Sequence, residues 1–92
     1  MALIFSIKDK SGRLIYLTKN GWKHIVSRHP VLSNKIEDIT ETLKNPSVRK
    51  QSGHSEKVWY CYRYYKNLKE YLMVIVRYLN GVGYIMTSYY VK

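Results

Sequence analysis

Acidic residues are the scarcest chemistry in this chain: six Asp and Glu stand against sixteen Lys and Arg, a formal net charge of +10. Three of the six (Glu37, Asp38 and Glu41) fall within five residues, so the remaining surface is more basic than the total implies. Such a field draws polyanions: nucleic acid first, then an acidic protein. An anionic membrane ranks last, because the cations are scattered rather than gathered beside an apolar stripe. Cysteine is nearly absent too. Cys61 stands alone, which excludes an internal disulfide and fits a reducing, cytoplasmic interior. It reads more simply as a small core hydrophobe than as a nucleophile. No apolar run approaches the roughly 20 residues that span a bilayer. Met1-Ala2-Leu3-Ile4-Phe5 has neither the basic leader nor the cleavage site of a signal peptide. Glycine-rich phosphate loops, dinucleotide fingerprints and the nucleophile-elbow pattern are also missing, which removes the commonest nucleotide-binding and serine-hydrolase readings.

What is present is enough for one core. Hydrophobic residues make up 46% of 92 residues, so a single domain over 1–92 is expected, without repeats or linkers. Ala2–Lys8 and Arg13–Leu17 read as strands around the turn Asp9-Lys10-Ser11-Gly12. Thr18 then caps a helix whose apolar stripe is Trp22, Ile25, Val26 and His29, and Pro30 stops it. Ser33 is expected to cap a second helix, Asn34–Lys44, with Ile36, Ile39 and Leu43 inward and acids in its first half. Val48–Gln51, Val58–Tyr65, Tyr71–Leu79 and Gly83–Val91 follow as strands, rich in β-branched and aromatic residues. The order β-β-α-α-β-β-β-β predicts an α+β domain: an antiparallel four-stranded sheet with two helices and an N-terminal β-hairpin.

Asn80-Gly81 is a strong hairpin signature. As a two-residue turn it pairs Leu79 with Val82. That register sets Val74 opposite Thr87 and Leu72 opposite Tyr89 on one face, while Met73 and Ile75 share the other with Ser88 and Met86.

The segment Gly21–Pro30 concentrates the candidate chemistry. His24 and Arg28, four apart, lie on one side of the helix. Imidazole exchanges protons near neutral pH and guanidinium clamps phosphate, and together these suit phosphodiester cleavage without a metal. His24 and His29 are five apart, about 140° around an ideal helix, and no neighbouring acid completes a ligand set, so no metal is expected. His29 also reads as a core or helix-end histidine, His54 as a solvated loop residue, and Arg28 as a helix-end cap. Nine of ten tyrosines lie from Tyr60 onward, interleaved with Arg63 and Arg77. That pattern offers stacking rings beside phosphate-binding cations, although strands favour tyrosine in any case. Thr87 and Tyr89, two apart on the last strand, project to one face.

The texts "HIVSRHP", "YCYRYY", "YLMVIVRYL" and "GYIMTSYY", with a proline-terminated second helix between the first two, resemble the small phage- and mobile-element-associated nucleases of the BECR fold. That fold groups barnase, EndoU, the tRNA-cutting colicins and RelE-like toxins, and the resemblance runs from Gly21 to Tyr90. It implies a BECR/RelE-like, metal-independent endoribonuclease of toxin or effector type. The enzyme would act on tRNA or mRNA, need no cofactor, and be restrained by an acidic antitoxin or immunity protein. Carried over by position, the catalytic residues are His24, Arg28, Thr87 and Tyr89, with His29, Ser52, Tyr62 and Arg63 binding substrate. The chain departs from the barnase pattern in its glutamates, since Glu56 and Glu70 both fall in expected loops. The alternative is a non-catalytic nucleic-acid-binding module on the same basic, Tyr-rich sheet; a third reading is a domain that docks an acidic protein. The oligomeric state is left open.

Overall fold

The computed structural model describes residues 2–92. The elements come in the expected order: β1 (Leu3–Lys8), β2 (Leu14–Thr18), α1 (Lys19–Arg28), a 3-10 turn (Pro30–Leu32), α2 (Ile36–Lys44), β3 (Val48–Gln51), β4 (Val58–Tyr65), β5 (Glu70–Tyr78) and β6 (Val82–Val91). The class is α+β.

The sheet differs from the expected one. The N-terminal hairpin does not stand beside a four-stranded antiparallel sheet; β2 runs parallel to β6, through Leu14↔Val82, Ile15↔Gly83 and Tyr16↔Tyr84. All six strands therefore join in one mixed sheet, ordered β1-β2-β6-β5-β4-β3. Gly83 makes the junction possible. A Cβ there would lie 2.9 Å from the Arg77 carbonyl oxygen, 2.9 Å from Ile15 Cδ1 and 3.1 Å from Tyr78 Cδ1, so the close approach needs a residue with no side chain.

Both helices cover one face of the sheet. Ile15, Leu17, Leu72, Val74, Val76 and Ile85 from the strands meet Ile25, Leu32, Ile39 and Leu43 from the helical segments in one buried cluster. Thr18 caps α1 as expected, its hydroxyl accepting from Gly21 N–H at 2.9 Å, and His29 ends the helix before Pro30. Ser33 does not cap α2. It ends the 3-10 turn that Pro30 opens, donating its N–H to the Pro30 carbonyl, and α2 begins at Ile36 without a side-chain cap. The proline consumes three residues in a tight turn, which delays the second helix.

The β5–β6 register also shifts. Near the turn it is the expected one, with Tyr78↔Gly83 and the Leu79 N–H on the Val82 carbonyl at 2.7 Å. Beyond that, Val76 pairs with Ile85 but Ile75 with Thr87, leaving Met86 as the extra residue of a β-bulge. Val74 therefore meets Ser88 rather than Thr87, and Leu72 meets Tyr90 rather than Tyr89. Ser88 enters the core and donates to the Met73 carbonyl at 2.7 Å. Thr87 and Tyr89 move to the face without helices.

Candidate functional site

Strand alternation divides the sheet sharply. Trp59, Cys61, Arg63 and Tyr65 of β4 share the helix side with Leu72, Val74 and Val76 of β5. The opposite face is open, and its residues line up in rows across the strands. One row is Lys50, Tyr60, Ile75 and Thr87; the next is Val48, Tyr62, Met73 and Tyr89; a third is Tyr64, Tyr71 and Val91. Toward the Asn80-Gly81 end lie Arg77, Tyr84 and Tyr16, the two tyrosine rings 6.2 Å apart. Most of these side chains are half-buried, and Met73 is buried.

His29 reaches the edge of this face. Its ring stacks on that of Tyr89, centroids 5.0 Å apart and planes 22° from parallel. Pro30 sets this up. Because helical geometry is closed to the residue before a proline, His29 adopts φ −133 and ψ 73, and its ring leaves the helical stripe.

Tyr62 shares a row with Tyr89 and titrates above the ordinary tyrosine range, because burial disfavours its phenolate and Tyr60 and Tyr89 add to the effect. It is thus a proton-bearing donor at neutral pH, not a base. Charge is segregated as well. Lys8, Lys50 and Arg77 lie on this face and Lys92 at its rim, whereas among the described residues no strand presents an acid there. Glu37, Asp38 and Glu41 sit on α2, Asp9 is buried, Glu56 lies in a loop, and Glu70 shares the side of Leu72.

The sequence-derived site residues divide accordingly. His29, Tyr62, Thr87 and Tyr89 come together on or beside the open face. Ser52 follows β3, and its hydroxyl accepts from the His54 N–H at 3.1 Å; with His54 and Arg77 it lines a shallow depression at one end of that face. Arg63 is elsewhere. It lies on the helix side, where its guanidinium donates to the Asn45 carbonyl at 2.6 Å and closes the C-terminal end of α2. His24 and Arg28 are exposed on the far flank of α1; an offset of five residues, about 140°, keeps His24 from the side that His29 presents to Tyr89.

A polar cluster on the helix side has no counterpart in the sequence reading. The Tyr78 hydroxyl donates to the buried Asp9 carboxylate, and Arg49 donates to the Tyr78 oxygen at 2.8 Å. The other Asp9 oxygen accepts from the Ser11 N–H and hydroxyl, at 2.9 and 2.6 Å. Arg13 lies 4.5 Å over the Tyr78 ring and Arg49 4.7 Å over Trp59. Burial and the Asp9 carboxylate push the Tyr78 hydroxyl up to about 12. Burial pushes the Cys61 thiol up too, leaving it a poor nucleophile. The cluster fastens the β1–β2 turn to the centre of the sheet. Asp9 and Tyr78 are 69 residues apart, and nothing local marks the pair.

Among the described residues no three His, Cys, Asp or Glu side chains group as metal ligands, and no helix is long and apolar enough to cross a membrane. Compared with protein-family models, curated proteins and solved structures, the chain matches none.

Proposed function

We propose that this chain is a metal-independent endoribonuclease of toxin or effector type and that the open face of the sheet is its active surface. The observation that carries the reading is the stacking of His29 on Tyr89, with Thr87 on the same face and Tyr62 in the same row. The resemblance to BECR nucleases is a second support. In this reading His29, rather than His24, is the proton-transfer group.

The chemistry follows from the groups present. Imidazole removes the proton from a ribose 2′-hydroxyl, whose oxygen attacks the adjacent phosphorus. Lys50 and Arg77 stabilise the charge that gathers on the phosphate oxygens, and the Thr87 and Tyr89 hydroxyls orient them. Tyr62, kept protonated by its surroundings, delivers a proton to the departing 5′-oxygen. The products are a 2′,3′-cyclic phosphate and a 5′-hydroxyl. An acidic antitoxin or immunity protein would bind the same cationic face and block it.

A non-catalytic RNA-binding module is the second reading, and the edge-to-face Tyr62–Tyr71 and Tyr64–Tyr71 pairs, 6.2 and 5.0 Å between centroids, favour it. Total RNA incubated with the protein in excess EDTA separates the two, since only the nuclease leaves cyclic-phosphate ends.

A further inference from the structure

Beside the His29–Tyr89 pair the open face holds a pocket of about 270 Å³, lined by Val48, Lys50, Tyr62, Tyr71, Val91 and Lys92. We propose that this pocket is a nucleotide subsite, and that the substrate is single-stranded RNA laid along the strands with one base held against Tyr62 and Tyr71. Three features of this face fit that occupant.

The first is the state of the rings. Tyr62 and Tyr71 meet edge to face, at 86°, as do Tyr64 and Tyr71, at 63°. Rings so arranged do not stack on one another, which leaves aromatic surface for a base. Val48 and Val91 supply apolar walls, so the pocket accepts a flat, largely apolar group.

The second is charge. Lys50 and Lys92 bring two ammonium groups to the rim, and among the described residues no strand presents a carboxylate on this face. A nucleotide joins an aromatic face to an anion and so answers both features, whereas an acidic peptide answers only the second.

The third is spacing. Along β5 the open-face positions are Tyr71, Met73, Ile75 and Arg77. Residues two apart repeat at about 6.7 Å, close to the step between nucleotides of an extended single strand. A strand with one base in the Tyr62–Tyr71 pocket therefore carries its next phosphate past Tyr89 and His29, and continues toward Thr87 and Arg77. A duplex buries its base faces in its own stack and cannot use the rings. The choice of RNA over DNA rests on the ribonuclease reading; the stacked single strand does not.

The test is fluorescence anisotropy with a labelled 2′-O-methyl RNA of about eight nucleotides, a length suited to one such face and uncleavable because its 2′-oxygen carries no proton. The same sequence annealed to its complement is the comparison. The single strand is expected to bind more tightly than the duplex. Tyr71→Leu, which keeps an apolar side chain, and Tyr64→Ala, at an exposed position, are each expected to weaken it by roughly 5- to 150-fold, the effect of losing one stacked base. Lys50→Gln is expected to lower the salt dependence by about one ion. Equal binding of duplex and single strand, or tyrosine variants that fold and bind like wild type, overturns the proposal, as does competition by polyglutamate as effective as by the single strand. Tight single-strand binding by a protein that cuts no RNA refutes the ribonuclease reading alone. RNA cleavage unaffected by Tyr71→Leu refutes the subsite alone.

Discussion

The ring of His29 lies on the ring of Tyr89, 5.0 Å between centroids, at the edge of a sheet face that no helix covers. Two sequence devices produce that contact. Pro30 turns His29 out of the helix, and the bulge at Met86 turns Tyr89 out of the core. Remove either and the two rings belong to different parts of the molecule.

Arg63 holds a helix end, on the side of the sheet away from the proposed active face. Arg63→Ala is expected to lower stability by about 1 kcal/mol, the upper range for a partly exposed charge-assisted hydrogen bond. RNA binding and cleavage, scaled to folded protein, should stay within a few-fold of wild type. Thermal melts alongside anisotropy decide it, and a large drop in RNA affinity at unchanged melting temperature would return Arg63 to the site.

Tyr78 ties alkaline stability to the Asp9 cluster. Its hydroxyl is raised from about 10 in the unfolded chain to about 12 in the fold. A raised folded value means that the stabilisation is complete below the unfolded value and lost as pH climbs through the folded one. Melting temperature should therefore fall between about pH 10 and 12. Tyr62, Tyr65 and Tyr90 are raised as well and add to the slope. Tyr78→Phe is expected to flatten this dependence while costing about 1–3 kcal/mol at neutral pH, since it strips a partner from Asp9 and Arg49. An unchanged alkaline slope in the variant would contradict the assignment.

Gly83 is the test of the parallel junction. Gly83→Ala drives a methyl against the Arg77 carbonyl, Ile15 and Tyr78, an overpacking expected to cost about 1–3 kcal/mol. For a domain of this size that is a drop of roughly 4–8 °C per kcal/mol. Substitution at Gly53, where an added Cβ meets nothing within 4 Å, is the control and should be nearly silent. Equal melting temperatures for the two variants would place β2 elsewhere.

Much of this molecule is written locally. Thr18 as a cap, Pro30 as a helix stop, Asn80-Gly81 as a turn and the strands of the C-terminal half are short-range choices, and the folded chain makes them. Three features depend on distant partners and leave no local trace. The Met86 bulge exists because Ser88 finds the Met73 carbonyl and leaves the neighbouring tyrosine and threonine outside; alternation alone pairs Val74 with Thr87. The parallel pairing of β2 with β6 needs Gly83 to meet Ile15 across the chain. The third is the placement of His29 against Tyr89. His24 sits at the better helical spacing from Arg28, whereas His29 follows the apolar stripe and looks structural until the sheet it points to is known. Thr87 and Tyr89 were legible as a pair, because residues two apart on a strand share a face wherever the register falls; Tyr62, on another strand, joins them only through the pairing of β4 with β5 and of β5 with β6.

The central claim is that His29, on the open face, performs proton transfer in RNA cleavage. The most direct measurement incubates wild type, His29→Ala and His24→Ala with total RNA in excess EDTA and analyses the fragment ends. Wild type and His24→Ala are expected to cut, leaving 2′,3′-cyclic phosphates, while His29→Ala loses about 10²- to 10⁴-fold in rate. Cleavage lost in His24→Ala and kept in His29→Ala would contradict the site described here, and cleavage by none of the three would contradict the enzymatic reading itself.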